Sequence, residues 1–192
     1  MRILRSQDYR RMRWKNGGGE TTEIMVSPDG AALDDFDWRV SMAHVASDGP
    51  FSLFPGIDRT LAVLSGNGVR LRVDGIGDVN LTTTVGPFPF PADVAAGADL
   101  IDGPIHDLNV MSRRGVVRHT LSRMNVTKPI RITVPGDAML LFIQGGAATI
   151  KTDDSQEILA DGDSVLLTAG DAAVTITAST TLTLYRAEFQ RA

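Results

Sequence analysis

The sequence predicts an all-β protein built from two fused barrel-like modules with little helix. Short apolar segments rich in Val, Ile, Leu, Thr and Phe recur along the chain, separated by Gly, Pro and Asp. Helical periodicity is weak, and only residues 6–13 are expected to form one turn or a short helix. The segments expected to form strands are 22–26, 38–45, 60–64, 69–73, 108–111, 116–121, 130–134, 139–143, 147–152, 164–168, 174–177 and 181–186.

An internal repeat supports the division into two modules. The segment 55–66 resembles the segment 135–145, and from Asp58 onward the offset stays at 79 residues through Leu71 and Ile150. Further along, the segment 91–94 is matched with 161–164. Any two β segments look somewhat alike, but a constant register over about a dozen positions favours duplication. We expect one module at 1–120 and a second at 121–192, with exchange of strands between the halves allowed.

Composition excludes several classes of protein. The 192 residues are 43% hydrophobic and 22% charged, which is enough for a core and argues against disorder. The net charge of −4 argues against a general nucleic-acid binder, which needs a basic surface. The chain has no cysteine, no apolar signal-peptide region and no run of 18 apolar residues. We therefore expect a cytoplasmic protein with neither nucleic acid nor membrane as partner.

The β–Gly–β units resemble the half-motifs of the cupin family, and that resemblance implies a bicupin of two jelly-roll-like barrels. Typical cupins bind a metal through clustered histidines and a glutamate seven residues before a turn glycine. Counting back from Gly66 gives Arg59, and counting back from Gly145 gives Ala138. The three histidines, His44, His106 and His119, have no paired spacing. We therefore expect no metal site and no cofactor.

Arg59 places a cation where the barrel interior is expected. A guanidinium keeps its proton and offers a planar fork of donors to a carboxylate. Buried without an anion, it would cost several kcal/mol. The sequence leaves two interpretations open: Arg59 binds an anionic ligand, or it pairs with Asp58 or another acid of the chain.

The segment 14–23, WKNGGGETTE, contains three consecutive glycines. Glycine lets a backbone approach a ligand closely and expose its amide donors, and Lys15 adds positive charge. The segment lacks the ending of a phosphate-binding P-loop. A flexible turn is the alternative explanation, although Trp14 and Asn16 are not typical of linkers.

Two further segments alternate in a way that predicts polar interior faces. In the segment 38–44, Arg39 and Ser41 share one face of a strand, and they point either into the barrel mouth or to solvent. In the segment 107–115, Asp107, Asn109 and Met111 share a face. Such a face inside a barrel is costly unless a ligand, water or its own members satisfy it.

Taken together, the motifs WKNGGG (14–19), WRVSMA (38–43), DGPFSLFPGIDR (48–59) and DLNVMSRRG (107–115) resemble the signature of the HutD/Ves family. The resemblance covers residues 1–120 closely and the second half loosely. It implies a metal-free bicupin associated with bacterial histidine utilisation, which binds an acidic product such as N-formylglutamate or urocanate. No firm catalytic activity is implied, and other relatives are linked to stress or cold responses. The candidate ligand-binding residues are Trp14, Lys15, Asn16, Gly17, Gly18, Gly19, Thr21, Arg39, Ser41, Asp58, Arg59, Asp107, Asn109 and Met111.

Two other functions compete with binding of a small anionic metabolite. A metal-free isomerase, lyase or hydrolase would use His44 or His106 as general base, with Asp58 or Asp107 orienting the imidazole. An interaction protein would instead pair exposed strands with a partner or with itself, and a homodimer is expected on the same ground.

Overall fold

The computed structural model describes residues 1–14 and 17–192. The candidate residues Lys15 and Asn16 therefore lie outside the described residues. The all-β prediction is confirmed, because one 3₁₀ turn, Ser6–Asp8, is the single helical element recorded in the described ranges. The strands are β1 (Arg2–Leu4), β2 (Arg10–Arg13), β3 (Gly19–Ser27), β4 (Trp38–Val45), β5 (Gly49–Pro50), β6 (Ile57–Ser65), β7 (Val69–Val73), β8 (Gly77–Leu81), β9 (Phe88–Pro91), β10 (Ala96–Leu100), β11 (Ile105–Arg113), β12 (Val117–Val126), β13 (Ile130–Ile132), β14 (Ala138–Gln144), β15 (Ala148–Lys151), β16 (Gln156–Leu159), β17 (Ser164–Thr168), β18 (Val174–Ala178) and β19 (Leu182–Arg191).

The chain forms two compact units. The large unit contains Arg10–Arg118 together with Ala192, and the small unit contains Met1–Tyr9 together with His119–Arg191. The first nine residues thus group with the second half, through antiparallel pairing of β1 with β17. Whether the segments 1–120 and 121–192 fold as separate domains stays a prediction.

The large unit holds two antiparallel sheets. One sheet has the order β2-β3-β4-β11-β6-β9, and the other has the order β5-β10-β7-β8. Apolar side chains of both sheets, such as Val63, Leu71 and Ala98, form one buried cluster. The alternation of buried and exposed residues along β7 shows one face on this core and one face in solvent.

The small unit repeats the strand order of the large one. Its sheets have the orders β1-β17-β14-β19-β12 and β13-β18-β15-β16, in which β14 through β19 take the places of β6 through β11. Its core contains Leu141, Ile150, Val165 and Leu184. The 79-residue offset found in the sequence therefore has a counterpart in the order of the strands.

Two predictions from the sequence were wrong. Residues 10–13 form strand β2 rather than part of a helix, because their backbone pairs with β3. The segment 91–94 does not correspond to 161–164. Leu61 of β6 pairs with Phe88 of β9, and its counterpart Leu140 of β14 pairs with Leu166 of β17. Strand β9 therefore corresponds to β17, and the turn after β9 corresponds to the turn after β17, at 170–171.

In the described ranges, the structure has no helix of the length and apolar character that crossing a membrane requires.

Candidate functional site

The large unit contains a cavity of about 570 Å³. Strands β2, β3, β4, β6 and β11 and the segments before β4 and after β5 supply its walls. The lining mixes apolar and polar side chains, as ligand pockets commonly do. The lining residues are Met12, Arg13, Trp14, Thr21, Leu33, Arg39, Ser41, Ala43, Pro50, Phe51, Ser52, Phe54, Arg59, Asn109 and Met111.

Strand register brings two distant arginines to the same level of the sheet. On β11, Met111 lies opposite Arg39 of β4 on one side and opposite Arg59 of β6 on the other. Two residues earlier, Asn109 lies opposite Ser41. All of these side chains are on one face because strand residues alternate. Side chains from three separate segments of the chain thus meet at one cavity: Arg39, Ser41, Arg59, Asn109 and Met111.

Arg39 already has an acidic partner. Its Nε donates to Oε2 of Glu23 at 2.7 Å, and its Nη1 lies 3.5 Å from Oγ of Ser41. Both members of the ion pair are largely buried, with side chains 6% and 15% exposed. Glu23 therefore offsets much of the positive charge that Arg39 would otherwise offer to a ligand.

In the described part of the chain, no acidic side chain pairs directly with Arg59. Its Nε donates to Oδ1 of Asn109 at 2.6 Å, and its guanidinium lies 4.2 Å from the centre of the Phe51 ring. Within residues 1–14 and 17–192, its two terminal nitrogens have no recorded hydrogen-bond acceptor. Burial lowers the pKa of Arg59 to about 10, against the opposing effect of Asp107, and Arg39 lowers it further. Arg59 therefore stays cationic at neutral pH and keeps a donor edge available.

Asp107 lies beneath this cluster and is 0% exposed. Its Oδ1 accepts a hydrogen bond from Nδ2 of Asn109, whereas its Oδ2 has no hydrogen-bond partner among the described residues. Burial raises the pKa of Asp107 to about 7, with Arg59, the Ala43 backbone and Asn109 acting in the opposite direction. The Asn109 amide thus connects the carboxyl group to Arg59, with each end of the amide in a fixed orientation.

A further part of the wall comes from Thr21 of β3 and from Trp14, which follows β2. Nε1 of Trp14 donates to Oγ1 of Thr21 at 2.8 Å, which fixes the indole against the strand. Arg13 lies at the rim, where its side chain is 90% exposed and 3.9 Å from Glu20. The candidates Trp14 and Thr21 therefore line the cavity, but their strongest polar contact is to each other.

The glycine run does not line this cavity. The amide of Gly17 donates to the carbonyl of Trp14 at 3.1 Å, and the carbonyl of Gly18 accepts from Ala46 at 3.0 Å. A Cβ at Gly19 would lie 2.3 Å from the carbonyl oxygen of His44, so close strand packing requires glycine there. These contacts agree with the turn interpretation of the run.

Asp58 is directed away from the cavity. It neighbours Arg59 in sequence, so its side chain lies on the other face of β6. There it pairs with Arg114 at 2.7 Å, and Asp93 joins the same arginine at 2.9 Å. Asp58 therefore neither pairs with Arg59 nor contacts the cavity, and Asp107 lies below the lining rather than in it.

The histidines lie elsewhere. His44 and His106 are opposite each other on β4 and β11, on the face away from Ser41 and Asn109. Their ring centres are 4.8 Å apart, and Nδ1 of His106 is 3.1 Å from Oγ of Ser65. Burial and the nearby His44 lower the pKa of His106. His119 belongs to the small unit, so none of the three lines the cavity.

The residues present do not fit a cupin metal ion. Among the described residues, the cavity lining offers three guanidinium groups, an amide and hydroxyls, and the carboxylate of Glu23, which lies beside the lining, already pairs with Arg39. In the described part of the chain, no three His, Cys, Asp or Glu side chains are grouped as a metal ion would need.

Several residues in the cavity lining, and Glu23 beside it, were not predicted from the sequence. Glu23 shares its strand face with Thr21, and this alternation was the available signal for it. Phe51 lies inside the 48–59 motif, but only the fold shows that its ring covers Arg59. Leu33 carries no sequence signal that separates it from an ordinary loop residue.

Comparison with known proteins identifies the family of the chain. The family model described as HutD matches residues 6–185. An uncharacterised 21.2 kDa protein from the hutC 3′ region of Pseudomonas putida is 42% identical over 111 residues, which are 58% of this chain and 57% of that protein. Protein Ves of Citrobacter koseri is 43% identical over 103 residues, 53% of this chain and 52% of Ves. The chain thus spans about half the length of the curated relatives it matches.

Solved structures agree over nearly the whole chain. A conserved protein of unknown function from Pseudomonas aeruginosa PAO1 has a TM-score of 0.89 at 35% identity, covering 98% of both chains. HutD from Pseudomonas fluorescens SBW25, in a formate condition, has a TM-score of 0.82 at 30% identity, covering 100% of this chain and 98% of HutD. A cupin 2 conserved barrel protein from Leptotrichia buccalis shares the fold at 11% identity, with a TM-score of 0.60 over 93% of this chain and 95% of its own. The chain belongs to the HutD family.

Proposed function

We propose that the chain binds a small carboxylate metabolite of histidine degradation, resembling N-formylglutamate or urocanate, without a metal, and that binding modulates histidine utilisation. One observation carries the proposal: Arg59 is buried at the cavity with its terminal nitrogens free of acceptors in the described residues. A buried guanidinium is costly unless an anion compensates it, and a carboxylate matches its fork of donors. Membership of the HutD family supports the link to histidine utilisation.

The surroundings of Arg59 favour an acid with an apolar or planar body. Phe51, Phe54, Trp14 and Met111 line the same cavity, so a ligand whose carboxylate contacts Arg59 would place its remaining atoms against apolar surface. Two charged hydrogen bonds contribute roughly 1.5–3 kcal/mol each, which with apolar burial is compatible with a micromolar Kd.

Isothermal titration calorimetry with N-formylglutamate, urocanate and formate tests the proposal. We expect saturable heat with at least one of them. Arg59→Ala should lose binding, and Arg59→Lys should weaken it about tenfold or more because the ammonium keeps the charge but not the fork. Arg70→Ala is the matched control, since Arg70 pairs with Asp78 on the solvent side of β7 and lies outside the cavity. No heat at millimolar ligand would refute the proposal, as would equal binding by Arg59→Ala and the wild type.

The enzyme alternative receives no support from the histidines. A general base must come within hydrogen-bond reach of the proton it removes, and His44 and His106 are on the other face of their strands. The interaction-protein alternative and the homodimer stay predictions, as does the cytoplasmic location. Size-exclusion chromatography with light scattering reports the oligomeric state.

A further inference from the structure

We propose that the cavity takes up its carboxylate together with one proton, and that Asp107 is the group that receives the proton. This inference rests on the proposed function, because it concerns the anion bound at Arg59. It assigns Asp107 a positioning and charge-balancing role, since its side chain lies beneath the cavity and does not touch the ligand.

The connection between the two groups is direct. Nε of Arg59 donates to Asn109, and Asn109 donates to Oδ1 of Asp107. The amide can make this pair of contacts in only one orientation, with its oxygen toward Arg59 and its nitrogen toward Asp107. Asn109 therefore presents an acceptor to Arg59, and the terminal guanidinium nitrogens are left for the ligand.

The charge of Arg59 compensates that of an ionised Asp107 only while no ligand anion occupies the cavity. On β6, β4 and β3 the charged groups of this face are Arg59, Arg39 and Glu23. On β2, Arg10 lies opposite Glu23 and Arg13 lines the cavity, but both of these arginines are exposed to solvent. Arg39 is already paired with Glu23, so Arg59 is the one cation available to compensate an ionised Asp107 in the described cluster. The opposing sheet contributes apolar side chains such as Val69 and Leu71 to the core there.

A bound carboxylate changes this balance. The ligand and Asp107 would then be two anions sharing one guanidinium, an arrangement that favours protonation of the more buried carboxyl group. Asp107 is fully buried, and its Oδ2 has no hydrogen-bond partner in the part of the chain described, so its ionised form is poorly stabilised. One ligand carboxylate and one proton from solvent enter together, and the summed charge of that carboxylate, Arg59 and Asp107 equals the charge of Arg59 and Asp107 before binding.

The raised pKa of Asp107, about 7, sets the range in which this coupling is visible. Above that pH the free protein holds Asp107 largely ionised, so binding must draw a proton from solvent. Affinity should then fall up to about tenfold for each unit of pH. Below about pH 6 the proton is already bound, and affinity should no longer depend on this group.

Calorimetry in buffers of different ionisation enthalpy measures the proton directly. The wild type is titrated with formate and with N-formylglutamate at pH 8 and at pH 5.5, each time in two amine buffers that differ in ionisation enthalpy, because an anionic buffer such as phosphate would compete for Arg59. The difference in heat between the two buffers gives the protons taken up. We expect close to one proton per ligand at pH 8 and close to none at pH 5.5. Urocanate is left out of this test because its imidazole titrates in the same range.

Variants assign the proton to one residue. Asp107→Asn keeps the shape of the side chain and should bind with no proton uptake and with affinity independent of pH from 6 to 8.5. Asp58→Asn is the matched control, because that carboxylate pairs with Arg114 outside the cavity, and it should take up the proton as the wild type does. If Asp107→Asn does not fold, ¹³C NMR of the wild-type Asp107 carboxyl should show its apparent pKa rise on adding formate.

The outcomes separate the two proposals. Wild-type protein that binds neither acid refutes the proposed function and this inference with it. Binding without proton uptake at pH 8, or uptake that persists in Asp107→Asn, refutes the inference and leaves the proposed function standing.

Discussion

Replacing Asp107 with asparagine should make the protein more stable at neutral pH, although it removes a charged group next to Arg59. The folded-state pKa of Asp107 is raised from 3.8 to about 7, because burial disfavours the carboxylate. A raised pKa means that the folded chain binds more protons than the unfolded chain. This stabilising contribution is complete below about pH 4 and is lost as the pH rises toward 7.

The size of the effect follows from the same shift. Each pH unit between the unfolded and folded pKa values changes the unfolding free energy by about 1.4 kcal/mol. From pH 5 to pH 7 the wild type should therefore lose about 2 kcal/mol relative to Asp107→Asn, and the difference should level off above pH 8. Comparing two pH values cancels any constant difference in packing between Asp and Asn.

Urea unfolding at pH 5, 6, 7 and 8, followed by tryptophan fluorescence, checks this prediction. Both tryptophans, Trp14 and Trp38, belong to the large unit, which also contains Asp107. The difference in unfolding free energy between variant and wild type should grow with pH. A constant difference across the series would refute the argument, because it would mean that Asp107 titrates alike in the folded and unfolded chains.

Three further predictions concern other residues of the large unit. Glu23→Gln should free Arg39 from its ion pair, so that a second cation becomes available to the ligand. Calorimetry should then show that affinity for the dianion N-formylglutamate rises several-fold more than affinity for formate. An equal rise in affinity for both acids would contradict this. Asp58→Asn should leave formate affinity within about twofold of the wild type, because an exposed ion pair outside the cavity contributes about 1 kcal/mol or less, and then only to stability. Gly19→Ala should lower the urea midpoint and the unfolding free energy, the latter by about 1–3 kcal/mol, because the new Cβ would lie 2.3 Å from the carbonyl oxygen of His44. An unchanged midpoint would contradict this, because it would show that the strands can separate there.

Most of the fold could be predicted from the sequence, because alternating apolar and polar residues and the turn residues between them mark most strands. The strands 38–45, 69–73 and 164–168 were predicted with the bounds that the structure has. Strands β1, β5, β8, β9, β10 and β16 were missed, because they are short and lack a clear alternation of Val, Ile and Leu. Strand β2, with the sequence RRMR, was missed because three of its four side chains are charged, so the sequence gives no sign that its backbone pairs with β3.

Part of the candidate site was also predictable. Alternation predicted that Arg39 shares a face of β4 with Ser41 and that Asn109 shares a face of β11 with Met111. It left open whether Arg39 and Ser41 face the barrel mouth or solvent, and in the structure all four side chains line the cavity. It could not show that Glu23 neutralises Arg39, because that pairing depends on the register between β3 and β4 and on the bulge between Glu23 and Met25. Partner choice among charged side chains is a property of the folded sheet.

A crystal structure of the chain grown with N-formylglutamate tests the central claim most directly. We predict a ligand carboxylate at about 2.7–2.9 Å from the terminal nitrogens of Arg59, with Asn109 still bridging to Asp107. A ligand bound elsewhere, or an Arg59 turned down to pair with Asp107 beside an empty cavity, would contradict the account.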